Sequence, residues 1–597
     1  MQPLPRWSLD SIYSSPDCDA YNDNKNLLYK TCEAVELLAG EISELHDLED
    51  ISLWLKDVLG HVNMMSDLYE NLESYAYTRF SVNTRDKAAQ DTLQEIEEIS
   101  LKVKSANVAI TNAFGQRAEM IMSLCTEDPR LVQYTYTFER MIKESSHLMS
   151  PELEALAAEL QRAGGDAWGR LQEAISSTSS ILWDKKSGER KTVIELRSLA
   201  FHPDREIREK AYRKEIEIWR SQEIPLAYAL NGVKGFTAVY DKRRSYNSSI
   251  EHSIEQARIS TKTLDALIAV LEEAQPLFRT YFKKKAELLG LDRLSFYDLF
   301  APINKDERQW GFGEAKDFIT EIFSEFYSPM GEFAEYAFSH DWIDAEPDDG
   351  KVGGAYCIGF PLAKESRILC NFDGSFSGVS TVAHELGHAF HGKVLTESPA
   401  LLRDYPMTLA ETASIFSETV IFNGALKRSS IEQRLTMIES FLMDAAQTVV
   451  DILSRYYFES EVFMRRATTE LTPGECCEVM ADAQKRTYGD ALNEEELHPY
   501  MWAVKGHYYG TDLAFYNYPY AFGQLFGMSL YAQYQSEGDT FCERYVRLLE
   551  QTGSESAETV TASAGFDIET KDFWRKGISI LEGYIDEFCD LADERLK

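Results

Sequence analysis

Apolar residues recur at helical spacing along most of this chain, and from about Lys25 to Tyr240 they predict successive amphipathic helices. Asp91 to Ala109 carries Leu93, Ile96, Ile99, Leu101 and Val103 among charges. Pro151 opens PELEALAAELQRA, with proline at the first helical position and Gly164-Gly165 as the stop. The stretch ILWDKKSGERKTVIEL alternates around a turn at Lys186-Ser187-Gly188 and predicts a hairpin. Thr261 to Leu289 predicts two helices ending at Gly290, and Phe318 to Phe338 is helical again. After the turn-rich Glu346-Pro347-Asp348-Asp349-Gly350 the pattern changes. Lys351 to Asn371 is Gly-rich with short apolar runs, which predicts two short strands. Two readings of them stand side by side: an exposed edge that takes an extended peptide by strand addition, or a structural hairpin roofing the next helix.

That next helix, Val379 to Val394, carries chemistry. It contains His384-Glu385-Leu386-Gly387-His388, the H-E-x-x-H spacing. Histidines four apart stand one turn apart on one helix face, so both imidazoles can reach a single ion. Val382, Ala383, Leu386, Phe390 and Val394 fall within about 60° of the line through Val379, while His384, His388 and His391 fall at about 140°, 180° and 120°. One face packs and the other presents ligands. With 11 His and 98 Asp+Glu in 597 residues, chance supplies about 0.03 such motifs. The competing reading is a helix whose histidines merely hydrogen-bond in the core.

A third ligand decides between them. Past His388 the acidic candidates are Glu397, Asp404, Glu411 and Glu418. Met407 to Phe422 predicts a helix on which Glu418 lies within about 20° of Glu411, opposite Leu409, Ala413, Phe416 and Val420. Glu411 is therefore expected as the third ligand, and Glu418, two turns on, as a carboxylate that orients a histidine N–H from behind. Two histidines and a carboxylate leave a fourth position for water, the layout of a catalytic zinc, one per chain. Glu385 flanks the ion as general base. Val394 stands where the third histidine of the H-E-x-x-H-x-x-G-x-x-H pattern would be, which excludes that class.

Composition narrows the partners. A net charge of −37 argues against nucleic acid. Runs such as Glu95 to Glu98 and Lys242 to Arg244 read as solvated helix faces. Neither a bilayer-spanning apolar run nor a signal peptide is expected. Nine cysteines without framework spacing suggest reduced thiols and a cytoplasmic protein. Residues 1–200 are expected to form an N-terminal helical lobe and 201–597 a catalytic helical region. Oligomeric state is not indicated.

H-E-x-G-H-x-x-H followed by E-T-A-S-x-F-x-E resembles the M3 oligopeptidases, and specifically oligoendopeptidase F. WSLDSIY, LLGLDRLSFYDLFAP and HPYMWAVKGHYYGTDLAFYNYPYAFG are similar to that family too, so the likeness spans essentially the whole chain. Ser377-Gly378 departs from it, since relatives commonly carry an acid before the metal helix. The resemblance implies a mainly α, elongated metallopeptidase whose two lobes enclose a deep central channel, with zinc at the bottom and a small β element before the metal helix. It implies that His507 hydrogen-bonds the substrate or the developing oxyanion, and that Tyr516 and Tyr520 place phenols over the zinc. The activity expected is hydrolysis of internal bonds in short oligopeptides by metal-activated water. The alternatives are a zinc exopeptidase, or a peptide-binding protein without turnover.

Overall fold

The computed structural model describes residues 4–304 and 308–597. Its secondary structure is mainly helical, as the apolar periodicity predicts, with five short strands among the described residues. Two compact units are present, and each gathers three separated segments. The first holds residues 1–148, 308–425 and 533–566; the second holds 149–307, 426–532 and 567–597.

In the first unit, the helices Asp19–Glu41, Leu48–Val82, Lys87–Gln116 and Thr135–His147 pack around Trp54, Leu55, Phe114 and Phe138, all buried. Asp47 and Asp86 cap the second and third of these helices by accepting from backbone N–H groups of the first turn. Helices Phe312–Phe326 and Ser328–Ser339 replace the single one expected over Phe318 to Phe338. The break falls at Tyr327, which is extended (φ −156°, ψ 111°), and Pro329 opens the new helix.

The strands of the first unit form one small sheet. β1 (Ser180–Leu182) and β2 (Arg190–Thr192) belong to the second unit; β3 (Ile343–Asp344), β4 (Tyr356–Phe360) and β5 (Glu365–Leu369) belong to the first. The order is β3-β5-β4, with β3 parallel and β4 antiparallel to β5, so β4 is an edge. The two strands expected between Lys351 and Asn371 are β4 and β5. The sequence pattern does not predict β3: two residues are too few to show an alternation. Two buried cations brace the sheet. Lys351 donates to Asp344 Oδ1 (2.6 Å) and to the carbonyls of Glu346 (2.8 Å) and Cys370 (2.8 Å). Arg367 reaches the N-terminal segment at Ser8 O (2.7 Å) and Ser11 Oγ (2.8 Å). Each partner satisfies a donor that would otherwise be costly to bury.

In the second unit, Pro151–Ala163 is a helix bounded as the proline and glycines predict. The hairpin of β1 and β2 is shorter than expected. Val193–Ser198 turns helical because Thr192 and Glu195 form a capping box that closes its first turn. Thr261–Leu288 is one helix, not two, although it contains Pro276. Its apolar stripe of Leu264, Leu267, Leu271, Phe278 and Phe282 stays buried on both sides of the proline, and that packing outweighs the lost backbone hydrogen bond. A buried Lys234–Glu459 pair (2.6 Å) ties Arg205–Arg243 to Ile452–Arg466. Among the described residues no helix is long and apolar enough to cross a membrane. All nine cysteines are free thiols.

Candidate active site

The helix Phe376–Leu395 carries H-E-x-x-H, and Ser375 caps it by accepting from Gly378 N at 3.0 Å. Val379, Val382, Ala383, Leu386 and Phe390 are buried on its packing face, as the phasing predicts. Gly387 decides how close the next helix comes. A Cβ there would lie 2.6 Å from Ala413 O and 2.7 Å from Ser417 Oγ, so only glycine admits the backbone of Thr412–Arg428 at this distance.

That close approach brings the carboxylates to the histidines. His384 Nε2 and His388 Nε2 lie 3.2 Å apart, and Glu411 Oε2 is 3.3 Å from the first and 3.4 Å from the second. The three ligand atoms sit within 4.8 Å of one another, a set that could hold a metal ion. Their chemistry, two imidazoles and one carboxylate, suits zinc with an open position. Glu418 Oε1 lies 3.2 Å from His384 Nδ1, the nitrogen facing away from the cluster. The contact is close in distance but off the line of a straight hydrogen bond, since Nδ1 has no in-line partner.

The helix expected over Met407 to Phe422 is interrupted at Glu411, which stands between Met407–Ala410 and Thr412–Arg428 with φ −84° and ψ 6°. Glu411 thus presents its carboxylate from a junction, where Ser414 Oγ donates to Oε2 at 2.6 Å.

Electrostatics fit a cation at this place. Burial opposes charge on His384, but the Glu418 and Glu411 carboxylates overcome it and hold its pKa well above the usual value. Burial likewise pushes Glu411 up, yet both histidines pull it well below the carboxylate range. Glu385 behaves differently. It is 5% exposed, its Oε2 has no partner, and burial raises its pKa despite the neighbouring histidines. A buried carboxyl with an unengaged oxygen beside a ligand cluster is poised to exchange a proton.

His384, Glu385, His388 and Glu411 line a cavity of about 1080 Å³ within the first unit, bordered also by Tyr356, Cys357 and Gly359 of edge strand β4 and by Tyr405. Its volume matches the upper range of small-ligand pockets, roughly 300–1,000 Å³. His391, which the phasing sets beside the ligands, is buried instead. It stacks on Tyr405 (centroids 4.4 Å, 11°), and its Nε2 lies 2.8 Å from Thr552 Oγ1. Burial lowers its pKa to about 3, so it stays neutral. No sequence spacing announces Cys357 or Tyr405 as cavity residues.

The second unit brings His507, Tyr516 and Tyr520 together. His507 and Tyr516 are in ring contact (4.5 Å), Tyr516 and Tyr520 likewise (5.7 Å), and the two phenol oxygens lie 3.2 Å apart. The backbone makes the turn before Tyr516 at Phe515, which adopts φ +55° and anchors its N–H on Glu459 at 3.0 Å.

Residues 198–580 match the model of peptidase family M3, and residues 117–179 match the model of oligopeptidase F. Oligopeptidase PepF of Bacillus subtilis is 24% identical, over 98% of this chain and 87% of its own. An oligoendopeptidase F homologue of Lactococcus lactis is 23% identical, over 89% of each chain. The same fold is found in a Chlamydophila abortus protein solved as a candidate peptidase (TM-score 0.83, 22% identity, 98% of each chain). It is also found in the oligoendopeptidase F of Enterococcus faecium (TM-score 0.70, 18% identity, 96% of this chain and 99% of that one). With a family model covering well over half of its length, this chain belongs to peptidase family M3.

Proposed function

We propose that this protein is a zinc-dependent endopeptidase acting on short oligopeptides, with His384, His388 and Glu411 as the zinc ligands. The observation that carries the reading is the meeting of two imidazoles and a carboxylate beside a buried carboxyl whose Oε2 is unengaged. When bound there, zinc supplies Lewis acidity that makes water nucleophilic near neutral pH and polarises the scissile carbonyl. Glu385 takes the attacking water's proton and delivers it to the leaving amine. Burial suits it to the first step, since a carboxylate whose pKa is raised is the stronger base toward the water's proton. Glu418 holds the His384 ring so that Nε2 points into the ligand cluster.

Edge strand β4 offers unpaired backbone groups along the cavity, which favours an extended peptide over a structural roof alone. For the second unit the reading rests on the family resemblance. His507 contacts the bound peptide, and the Tyr516–Tyr520 pair supplies a phenol donor to the oxyanion. Of a hydrogen-bonded phenol pair, one proton is used between the two oxygens and one remains for substrate. Nine free thiols fit a reducing compartment, so the cytoplasm is the proposed location.

A quenched-fluorescent peptide blocked at both termini tests the function. Turnover that a chelator abolishes and zinc restores is expected. Cleavage only of peptides with a free terminus would replace this reading with an exopeptidase, and tight binding without cleavage would replace it with a binding protein.

A further inference from the structure

His507 sits at the end of a hydrogen-bond chain inside the second unit. A π-helical turn, Gln447–Asp451, leads into the helix Ile452–Arg466 and sets Asp451 beside Arg455. Asp451 Oδ2 accepts from Arg455 Nε at 2.8 Å. Arg455 Nη1 donates to Asn517 Oδ1 at 2.9 Å. His507 Nδ1 lies 3.1 Å from that same oxygen. Asp451 and Asn517 are buried, at 4% and 2% exposure, and the His507 contact with Asn517 is part-buried.

These contacts fix which way the amide and the imidazole are oriented. Arginine only donates, so the Asn517 atom facing it is the amide oxygen. An amide oxygen only accepts, so the His507 nitrogen against it carries the hydrogen. A neutral imidazole has one N–H, and Nδ1 holds it; Nε2 is left with a lone pair. The surroundings keep the ring neutral. Burial first, then the positive charges of Arg455 and Lys505, lower its pKa against the opposing pull of Asn517 and Glu459. Lys505 is itself lowered to about 8, by burial and then by Arg455.

A nitrogen with a lone pair cannot donate to an oxyanion. We propose that His507 accepts a hydrogen bond through Nε2 from a backbone N–H of the bound peptide, with Asn517, oriented by Arg455, as the positioning residue that sets its tautomer. The proposal rests on the reading of His507 as a peptide-contacting residue. It divides the labour in the second unit: the imidazole holds a peptide N–H, and the phenols alone donate to carbonyl oxygen.

Peptides in which one backbone N–H at a time is replaced by an ester oxygen, away from the scissile bond, test it. At one position the replacement should lower wild-type kcat/KM about three- to ten-fold, the worth of a neutral hydrogen bond. In His507→Ala the same replacement should cost nothing. Asn517→Leu should lose most of this ester penalty, and Asn517→Asp should restore it, because aspartate again accepts from Nδ1–H. Asn517→Asp should also move the acid limb of kcat/KM to higher pH, since a carboxylate favours the charged ring, a shift that a merely structural role would not produce. If His507→Ala lowers turnover of ester and amide alike at every position, the acceptor role is overturned while the contact reading stands. If His507→Ala leaves turnover unchanged, both are overturned.

Discussion

The metal group of the first unit and the His507 group of the second are built in opposite ways. The first stands on a regular helix, where i,i+4 spacing aligns His384 and His388, while Glu411, at the junction before the neighbouring helix, and Glu418, on that helix, add direct charge contacts. The second spans one 3-10 turn, Gly506–Tyr509, a left-handed residue, Phe515, and the start of the helix Tyr518–Glu537, and its order comes from a relay of hydrogen bonds through Asn517 and Arg455. Electrostatics runs in opposite senses too. Carboxylates raise His384, whereas burial and cations lower His507. Anionic neighbours suit a cluster proposed to hold a cation, and neutralising surroundings suit a residue proposed to accept from a neutral amide. The difference teaches that one residue type is fitted to two tasks by the charge of what surrounds it.

The largest effects should come from the first group. Glu385→Gln keeps shape but cannot take a proton, so kcat should fall by about 10² to 10⁴ with zinc content unchanged. Glu411→Gln should lose zinc itself. Elemental analysis and turnover measured on both variants separate the two roles; metal loss in Glu385→Gln would show that base and ligand had been exchanged.

Gly387→Ala should break the same group without touching a ligand. The added Cβ meets backbone at 2.6 Å, an overpacking worth about 1–3 kcal/mol. The melting temperature should drop and zinc affinity should weaken together. Unchanged affinity would mean that the close helix approach does not position Glu411.

His391 gives the first unit a pH dependence. Its folded pKa, about 3, lies below the ordinary 6.5, so the unfolded chain binds the proton first as pH falls. Stability from this residue is therefore intact above about pH 6.5 and declines towards pH 3, by about 2 kcal/mol between pH 7 and pH 5. His391→Phe, which keeps a ring against Tyr405, should flatten that part of a pH–melting curve; an equal slope in the variant would exclude His391 as its source.

The smallest effect belongs to the second group. Lys505→Met removes one of the positive charges that keep His507 neutral, so the His507 pKa should rise. The acid limb of kcat/KM should then move to higher pH, by less than about one unit, with the alkaline side and zinc content unaffected. A shift to lower pH would reverse the assigned electrostatics.

Local codes are legible in the amino-acid sequence by itself. The H-E-x-x-H helix, its packing face, the bounds of Pro151–Ala163 and the shared helix face of Glu411 and Glu418 all follow from spacing within a turn or two. Near neighbours in sequence are near in space, so periodicity reads them directly. Tertiary structure decides the rest. Packing on both sides of Pro276 makes one helix where the sequence pattern predicts two. Burial against Thr552 and Tyr405 takes His391 out of the ligand face. Gly387 becomes a contact point only because Ala413 arrives opposite it. The tautomer of His507 depends on Asn517 and Arg455, which is 62 residues from Asn517 in the chain. Such pairings are chosen by which buried donors and charges find acceptors once the chain is compact, and no local pattern encodes that choice.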